Sequence, residues 1–233
     1  MPDHDVIYQT ETEMYDLLVS REDVDGNLEA AIRKIVPDAS AMDAADIGAG
    51  TGRVTALLAP LVRRVAAIDR SAAMLEQASS KLSGFGFTNW RTEVGSHDRL
   101  PLEAGSVDLL TAGWTICYCA NTNEPDWREQ LERIVGEIRR VLKPGGTVII
   151  FENFGTGFDE PNPPDYLTSY YAALENDYGF NHEAIRTDFR CESLEEAVSL
   201  AEFFFGDWLV DIIKANGTSS VPAWTGVWWK RFD

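Results

Sequence analysis

The run Ala45-Asp-Ile-Gly-Ala-Gly-Thr-Gly-Arg53 sets three glycines at alternate positions directly behind an apolar stretch. Glycine loses more backbone entropy on folding than any other residue. Three of them at such spacing mark a strand-to-helix turn where bare backbone must approach something closely. N–H groups at the start of the following helix point out of the turn, and the helix dipole favours negative charge there. Asp46 ends the strand just before the loop, and the next apolar segment, Val65-Ala-Ala-Ile68, ends on Asp69 about 20 residues on. A nucleotide-binding α/β fold places there the carboxylate that accepts hydrogen bonds from ribose hydroxyls. A carboxylate closing an apolar strand is costly without a partner. Loop and acid thus agree on a ligand that carries a ribose.

The flanking segments fit a sheet fold. Helical patterns over 8–18 and 28–36 precede a strand over 41–47 and a helix over 51–61. Strands over 64–68, 89–94, 107–112 and 147–152 follow, with Ser71 capping a helix through 82. Pro125 opens a helix on which Trp127, Leu131, Ile134, Val135, Ile138 and Leu142 recur at helical spacing, and Lys143-Pro-Gly-Gly146 stops it. Repeated strand–helix alternation argues a parallel sheet with helices on both faces. The tail reads as a strand over 184–189, a helix opened by the capping box Ser193-Leu-Glu-Glu196, a further helical stretch over 207–215, and a last strand over 221–230. The chain reads as one domain: a helical cap over 1–40, a ligand-binding core over 41–153, an aromatic lid segment over 154–183, and the end of the sheet over 184–233.

Composition limits the partners. The 233 residues carry a net charge of −18, which repels nucleic acid and anionic membrane surfaces. No apolar stretch approaches the ~20 residues of a membrane span. Three cysteines, Cys117, Cys119 and Cys191, make no disulfide framework and no zinc site, so no metal and a cytoplasmic location are expected.

The glycine spacing Gly48-x-Gly50-x-Gly52 differs from the dinucleotide fingerprint. It resembles the first motif of the class I, Rossmann-like S-adenosylmethionine (SAM) methyltransferases, D-x-G-x-G-x-G. Ala67-Ile-Asp-Arg-Ser-Ala-Ala-Met-Leu75 is similar to that family's second motif. Gly95-Ser-His-Asp-Arg-Leu-Pro101 with Gly105-Ser-Val-Asp108 resembles its G-D-A-x-x-L-P and S-F-D stretch, and Arg140-Val-Leu-Lys-Pro-Gly-Gly146 its turn before strand five. The resemblance covers about half of the chain, and it is closest to the bacterial small-molecule type. It implies a doubly wound α/β fold whose mostly parallel sheet has seven strands, the last antiparallel. It implies SAM as cofactor and S-adenosylhomocysteine as product.

Carried over residue by residue, Asp46 closes the first strand, and Gly48, Ala49, Gly50 and Gly52 form the loop under the methionine part. Asp69 holds the ribose, and Arg70 and Met74 flank the adenine. Ser96 and His97 face its edge, His97 through its backbone N–H. Ser96 stands where the family often has Asp, and Asp98 can take over that contact. Gly113 and Trp114 lie near the sulfonium. Arg21 or Arg53 meets the cofactor carboxylate.

Methyl transfer from a sulfonium is an in-line displacement in which the protein mainly supplies proximity and alignment. A base is needed only when the acceptor must lose a proton. No catalytic triad is visible. The acceptor-side candidates are Trp114, Tyr118, Glu152, Asn153 and Tyr170. The expected partner is a small organic acceptor, and the chain is expected to be a monomer or homodimer. Two alternatives stay open. A nicotinamide-dependent oxidoreductase shares the loop and Asp69 but needs the dinucleotide spacing and a Tyr-x-x-x-Lys relay, neither of which is present. A non-catalytic SAM-binding protein shares every motif.

Overall fold

Alternating strands and helices wind into one sheet because each strand is apolar on both faces and each following helix is apolar on one. The computed structural model describes residues 4–233. Two short helices, α1 (His4–Thr10) and α2 (Thr12–Ser20), lead to α3 (Asn27–Ile35). Next come β1 (Asp43–Ile47), α4 (Arg53–Leu58), β2 (Arg64–Asp69), α5 (Ala72–Gly84), β3 (Trp90–Val94) and β4 (Val107–Gly113). A 3-10 turn (Ile116–Tyr118) precedes α6 (Trp127–Val141), β5 (Leu142–Thr156), α7 (Asp165–Asn176) and β6 (Asn181–Arg186). The chain closes with β7 (Phe189–Arg190), α8 (Leu194–Phe204), α9 (Asp207–Asn216), β8 (Ser220–Val221) and β9 (Ala223–Arg231).

The seven-stranded sheet has the order β3-β2-β1-β4-β5-β9-β6. β9 pairs antiparallel with both β5 and β6, and the remaining pairs are parallel. Successive strand residues face opposite sides of a sheet. Leu110, Ile150 and Trp228 accordingly enter the core under α6 and α7, with Ile134, Ile138, Leu167 and Tyr170. Leu109, Ile149 and Val227 enter the core under α3 and α4, with Ile32, Val54 and Leu58. A smaller core lies where α8 and α9 pack with Leu18 of α2 and the β7–β8 hairpin. Among the described residues, no helix is long and apolar enough to cross a membrane.

Several boundaries depart from the sequence reading, each for a local reason. The helix expected over 8–18 is split at Glu11, whose φ of −122° and ψ of 37° leave the helical region. The helix expected from 51 starts at Arg53, because Gly52 takes a left-handed φ of 80°. The Lys143-Pro-Gly-Gly146 turn is absorbed into β5, with a register shift against β4 between Val107 and Leu109. The segment over 154–183 is largely α7, and Leu167, Tyr170, Tyr171 and Leu174 bury themselves against the sheet. Tyr170, Tyr171 and Phe180 are core, the two tyrosines because a helix with apolar residues on one face must cover something, while Phe158 and Tyr166 are exposed.

Trp228 shows how tightly that core closes. It is fully buried, its ring stacks on Tyr171 and His182 with centroids 4.4 Å apart in each case, and its Nε1 donates to Glu175 Oε1 at 3.1 Å. Trp228→Ala should therefore lower unfolding free energy by about 3–5 kcal/mol, read as a shifted urea midpoint with an unchanged slope.

Candidate active site

The glycine loop lies where β1 ends, and its three glycines all take left-handed φ values: 63° at Gly48, 53° at Gly50 and 80° at Gly52. The space each leaves is used differently. A Cβ on Gly48 would fall 1.9 Å from Thr115 Oγ1, so that vacancy is filled by the turn after β4. A Cβ on Gly52 would meet Ala78 Cβ at 3.0 Å, so that vacancy lets α5 pack close. Around Gly50 the nearest atom is Tyr15 Cε1, 3.9 Å away, and the backbone there is open to a ligand.

The N–H groups of the loop are largely spoken for. Ala49 N–H donates to the Ile68 carbonyl at 3.0 Å, and Gly52 N–H to the Ala49 carbonyl at 2.9 Å. Gly50 N–H donates to Asp69 Oδ2 at 2.8 Å, while Ser71 N–H donates to Asp69 Oδ1 at 2.8 Å. Each carboxylate oxygen can accept two hydrogen bonds, so Asp69 is fixed in place with one acceptor site left on each oxygen.

A cavity of about 220 Å³ opens above this loop, at the carboxyl ends of the parallel strands. That is the crevice in which ligands of open α/β sheets sit. Of the residues singled out from sequence, Gly48, Gly50, Asp69, Arg70, Met74, Ser96, His97, Asp98, Gly113, Trp114 and Tyr118 form its wall. Six do not. Asp46 lies beneath the loop, buried, where Thr55 Oγ1 and Thr111 Oγ1 donate to it at 2.6 and 2.7 Å. Ala49 is buried in a small cluster with Ala67 and Leu75, and Gly52 faces α5. Glu152, Asn153 and Tyr170 stand behind the wall: Asn153 Oδ1 accepts Gly155 N–H, and Tyr170 donates to Glu152. The segment after β5 contributes no described residue to the wall.

The roof comes from the N-terminal helices, through Tyr8 of α1 and Tyr15 of α2. The Tyr8 and Tyr118 hydroxyls are hydrogen-bonded to each other. Ser71, Gly95, Thr115, Cys119, Gln130, Arg133 and Ile134 complete the wall. The sequence reading assigned none of these to the site. Tyr8 and Tyr15, seven apart and aromatic, gave a signal, but one equally suited to core packing.

Charges within the site are mostly paired. Ser96 Oγ donates to Asp98 Oδ1 at 2.7 Å, so the two side chains stand together on the wall. His97 turns its side chain inward rather than offering only its backbone, and its Nε2 shares a 2.8 Å hydrogen bond with Thr115 Oγ1. Burial lowers the His97 pKa and keeps the imidazole neutral at pH 7. Burial also raises the phenols of Tyr8, Tyr15 and Tyr118 and the thiol of Cys119, which makes them poor bases.

Arg53 stacks over Trp114, 4.0 Å from the ring centroid, and its Nη1 donates to Glu22 Oε2 at 2.8 Å. Its Nη2 is buried with no hydrogen-bond partner. Arg21 is taken up by Glu192 and Glu196, at 2.8 and 2.7 Å. Arg21 Nε is likewise buried with no hydrogen-bond partner, so each of the two arginines keeps one donor. Among the described residues no cluster of His, Cys, Asp or Glu is arranged to hold a metal ion.

Asp46 gives a test of the loop's foundation. Burial pushes its carboxyl up to about 6, from an ordinary value of 3.8. A carboxyl raised by folding binds its proton more tightly in the native state, so the stability linked to it is present at low pH and is lost as pH rises through 6. Asp46→Asn should gain on the wild type by up to about 3 kcal/mol between about pH 4 and pH 8, measured by urea unfolding at each pH.

Comparison with known proteins agrees with this geometry. A family model described as a methyltransferase domain matches residues 45–150. The ubiquinone/menaquinone biosynthesis C-methyltransferase of Rubrivivax gelatinosus is 37% identical over 107 residues, covering 46% of this chain and 38% of that protein. The carboxy-S-adenosyl-L-methionine synthase of Pseudomonas fluorescens is 30% identical over 165 residues, covering 65% of this chain and 63% of that protein. The matches span less than two thirds of these relatives' own length. A SAM-dependent methyltransferase from Aquifex aeolicus shares the fold with a TM-score of 0.58 over 93% of this chain and 96% of that one, at 18% identity. The motifs, the strand order and these likenesses converge on the class I, Rossmann-like SAM-dependent methyltransferases, the family that the chain resembles.

Proposed function

We propose that the protein transfers a methyl group from SAM to a small organic acceptor. The observation that carries this reading is the bond from Gly50 N–H to Asp69 Oδ2. It spends the loop's central donor on the protein's own carboxylate. A dinucleotide would need such donors for its pyrophosphate. An adenosyl ligand without phosphate needs none of them, and it does need the acceptors that Asp69 keeps.

The residues present fit SAM. Asp69 would accept from its ribose hydroxyls, and Gly50 leaves room for its close approach. Ser96 and Asp98 would face the adenine edge, with Arg70 and Met74 on the wall beside them. The unpartnered Nη2 of Arg53 suits its carboxylate. SAM supplies an electrophilic methyl on a sulfonium. The chain's part is alignment: Trp114, Thr115 and Tyr118 bound the space an acceptor would fill. His97 is the wall group with a neutral imidazole at pH 7, so a proton leaving an acceptor would go to it, and an amine with its own lone pair would need no such transfer. The names of the relatives, a quinone-pathway C-methyltransferase and a malonyl-carrier O-methyltransferase, support small acceptors without choosing an atom.

Titration calorimetry tests the cofactor half. SAM and S-adenosylhomocysteine should bind and NAD should not; NAD binding without SAM binding would overturn the reading. Asp69→Ala should weaken SAM and 5′-methylthioadenosine alike, by about 1.5–3 kcal/mol, because both carry the ribose. Arg53→Lys keeps the charge facing Glu22 but loses the fork, so it should weaken SAM about tenfold and leave 5′-methylthioadenosine, which has no carboxylate, unchanged. Incubating metabolite pools with methyl-labelled SAM tests turnover: a labelled small molecule is expected, and label retained wholly on SAM would leave a binding protein.

A further inference from the structure

The structure assigns Glu152 a role as positioning residue: from the middle of the sheet it fixes the turn from Trp114 to Cys119 against α7, and so sets the wall that an acceptor meets. This rests on the methyl-transfer reading of the cavity and deepens it.

Glu152 is fully buried on β5 and does not line the cavity. Its Oε1 accepts the Cys117 N–H at 3.0 Å and the Tyr170 hydroxyl at 3.3 Å. One carboxyl oxygen thus joins three elements: β5, the 3-10 turn after β4, and α7. The turn needs such a tie. Trp114 takes a φ of 49°, in the left-handed region that a tryptophan rarely adopts. Its N–H donates to the Phe151 carbonyl at 2.7 Å, one residue before Glu152 on the same strand. The Cys117 N–H stands at the start of a 3-10 turn, where backbone donors lack partners within the turn. Two successive residues of β5 therefore hold the turn at two points, one through main chain and one through a side chain. Between and beyond those points lie Trp114, Thr115 and Tyr118, all of them on the cavity wall.

The other oxygen, Oε2, is buried with no hydrogen-bond partner. The titratable groups facing the carboxyl are Cys117, Tyr118 and Cys119 from the turn and Tyr166, Tyr170 and Tyr171 from α7. Burial raises all six, so all are neutral hydrogen-bonding groups at pH 7. With no cation among them, burial pushes the carboxyl up to about 7. Burial favours the protonated acid, whereas the hydrogen bonds from Cys117 and Tyr170 favour the carboxylate, so ionisation above pH 7 strengthens the two bonds of the tie.

The test uses S-adenosylhomocysteine binding by calorimetry from about pH 5.5 to about 8.5, on wild type, Glu152→Gln and Glu152→Ala, together with amide hydrogen exchange over residues 115–119. Wild-type affinity should rise at least about threefold as pH rises through 7, whereas Glu152→Gln, which keeps an acceptor for Cys117 and cannot ionise, should hold one affinity throughout. Glu152→Ala should bind at least about tenfold more weakly at every pH and exchange the Cys117 amide at least about tenfold faster. A Gln variant with the wild-type pH dependence, or an Ala variant with unchanged affinity and a protected amide, overturns the assignment. If Glu152→Ala does not fold, the Gln comparison decides. If the wild type binds no S-adenosylhomocysteine, the methyl-transfer reading falls, and exchange on the unliganded variants still decides whether Glu152 holds the turn.

Discussion

The contact between a carboxylate and a loop amide, Asp69 Oδ2 with Gly50 N–H, organises the ligand-facing end of this molecule. Asp69 ends β2, Gly50 follows β1, and the two strands are parallel neighbours in register. The bond therefore runs across adjacent strand ends and stiffens the floor of the cavity where it would otherwise be most mobile. It also sets the polarity of the floor. A loop that kept its donors would attract phosphate; a loop that spends them on a carboxylate presents acceptors and fits hydroxyls. Asp46 supports the same floor from beneath, since its two threonine partners come from α4 and β4, the elements on either side of the loop.

The cavity is built in two layers of different character. Its floor is main chain and short polar side chains on strand ends, whose positions follow from sheet register. Its roof is aromatic and comes from α1, α2 and the turn after β4. Under the proposed methyl transfer, the adenosyl part would meet the floor and the acceptor would meet the roof and its supporting turn. The Glu22–Arg53–Trp114 stack links the layers, because Arg53 opens α4 while Trp114 belongs to the turn.

The floor was legible in the sequence for a physical reason. Gly48, Gly50 and Asp69 owe their roles to backbone conformation and strand period, which are local and leave a pattern in consecutive residues. The seven strands were legible on the same ground, through apolar runs alternating with helical spacing. The roof was not. Tyr15 faces the loop only because the chain breaks at Glu11, and nothing in Thr10-Glu11-Thr12 announces that break. Tyr170 and Tyr171 were read as lid residues, yet an aromatic helix that covers a sheet has the same spacing as one that covers a ligand. Gly48 carried a subtler ambiguity: its vacancy belongs to Thr115, far along the chain, and only the fold brings the two together.

That last pairing bears on how proteins of this shape can be re-tailored. Because Thr115 occupies the hollow above Gly48, where an added carbon would fall 1.9 Å from its Oγ1, the two positions form a single unit of change. Enlarging either one in isolation forces the strand ends apart. Tyr118, three residues further on and 43% exposed, carries no such obligation. Adapting the enzyme to a bulkier or slimmer methyl recipient would therefore proceed through Tyr118, while the Thr115–Gly48 seam stays closed to variation.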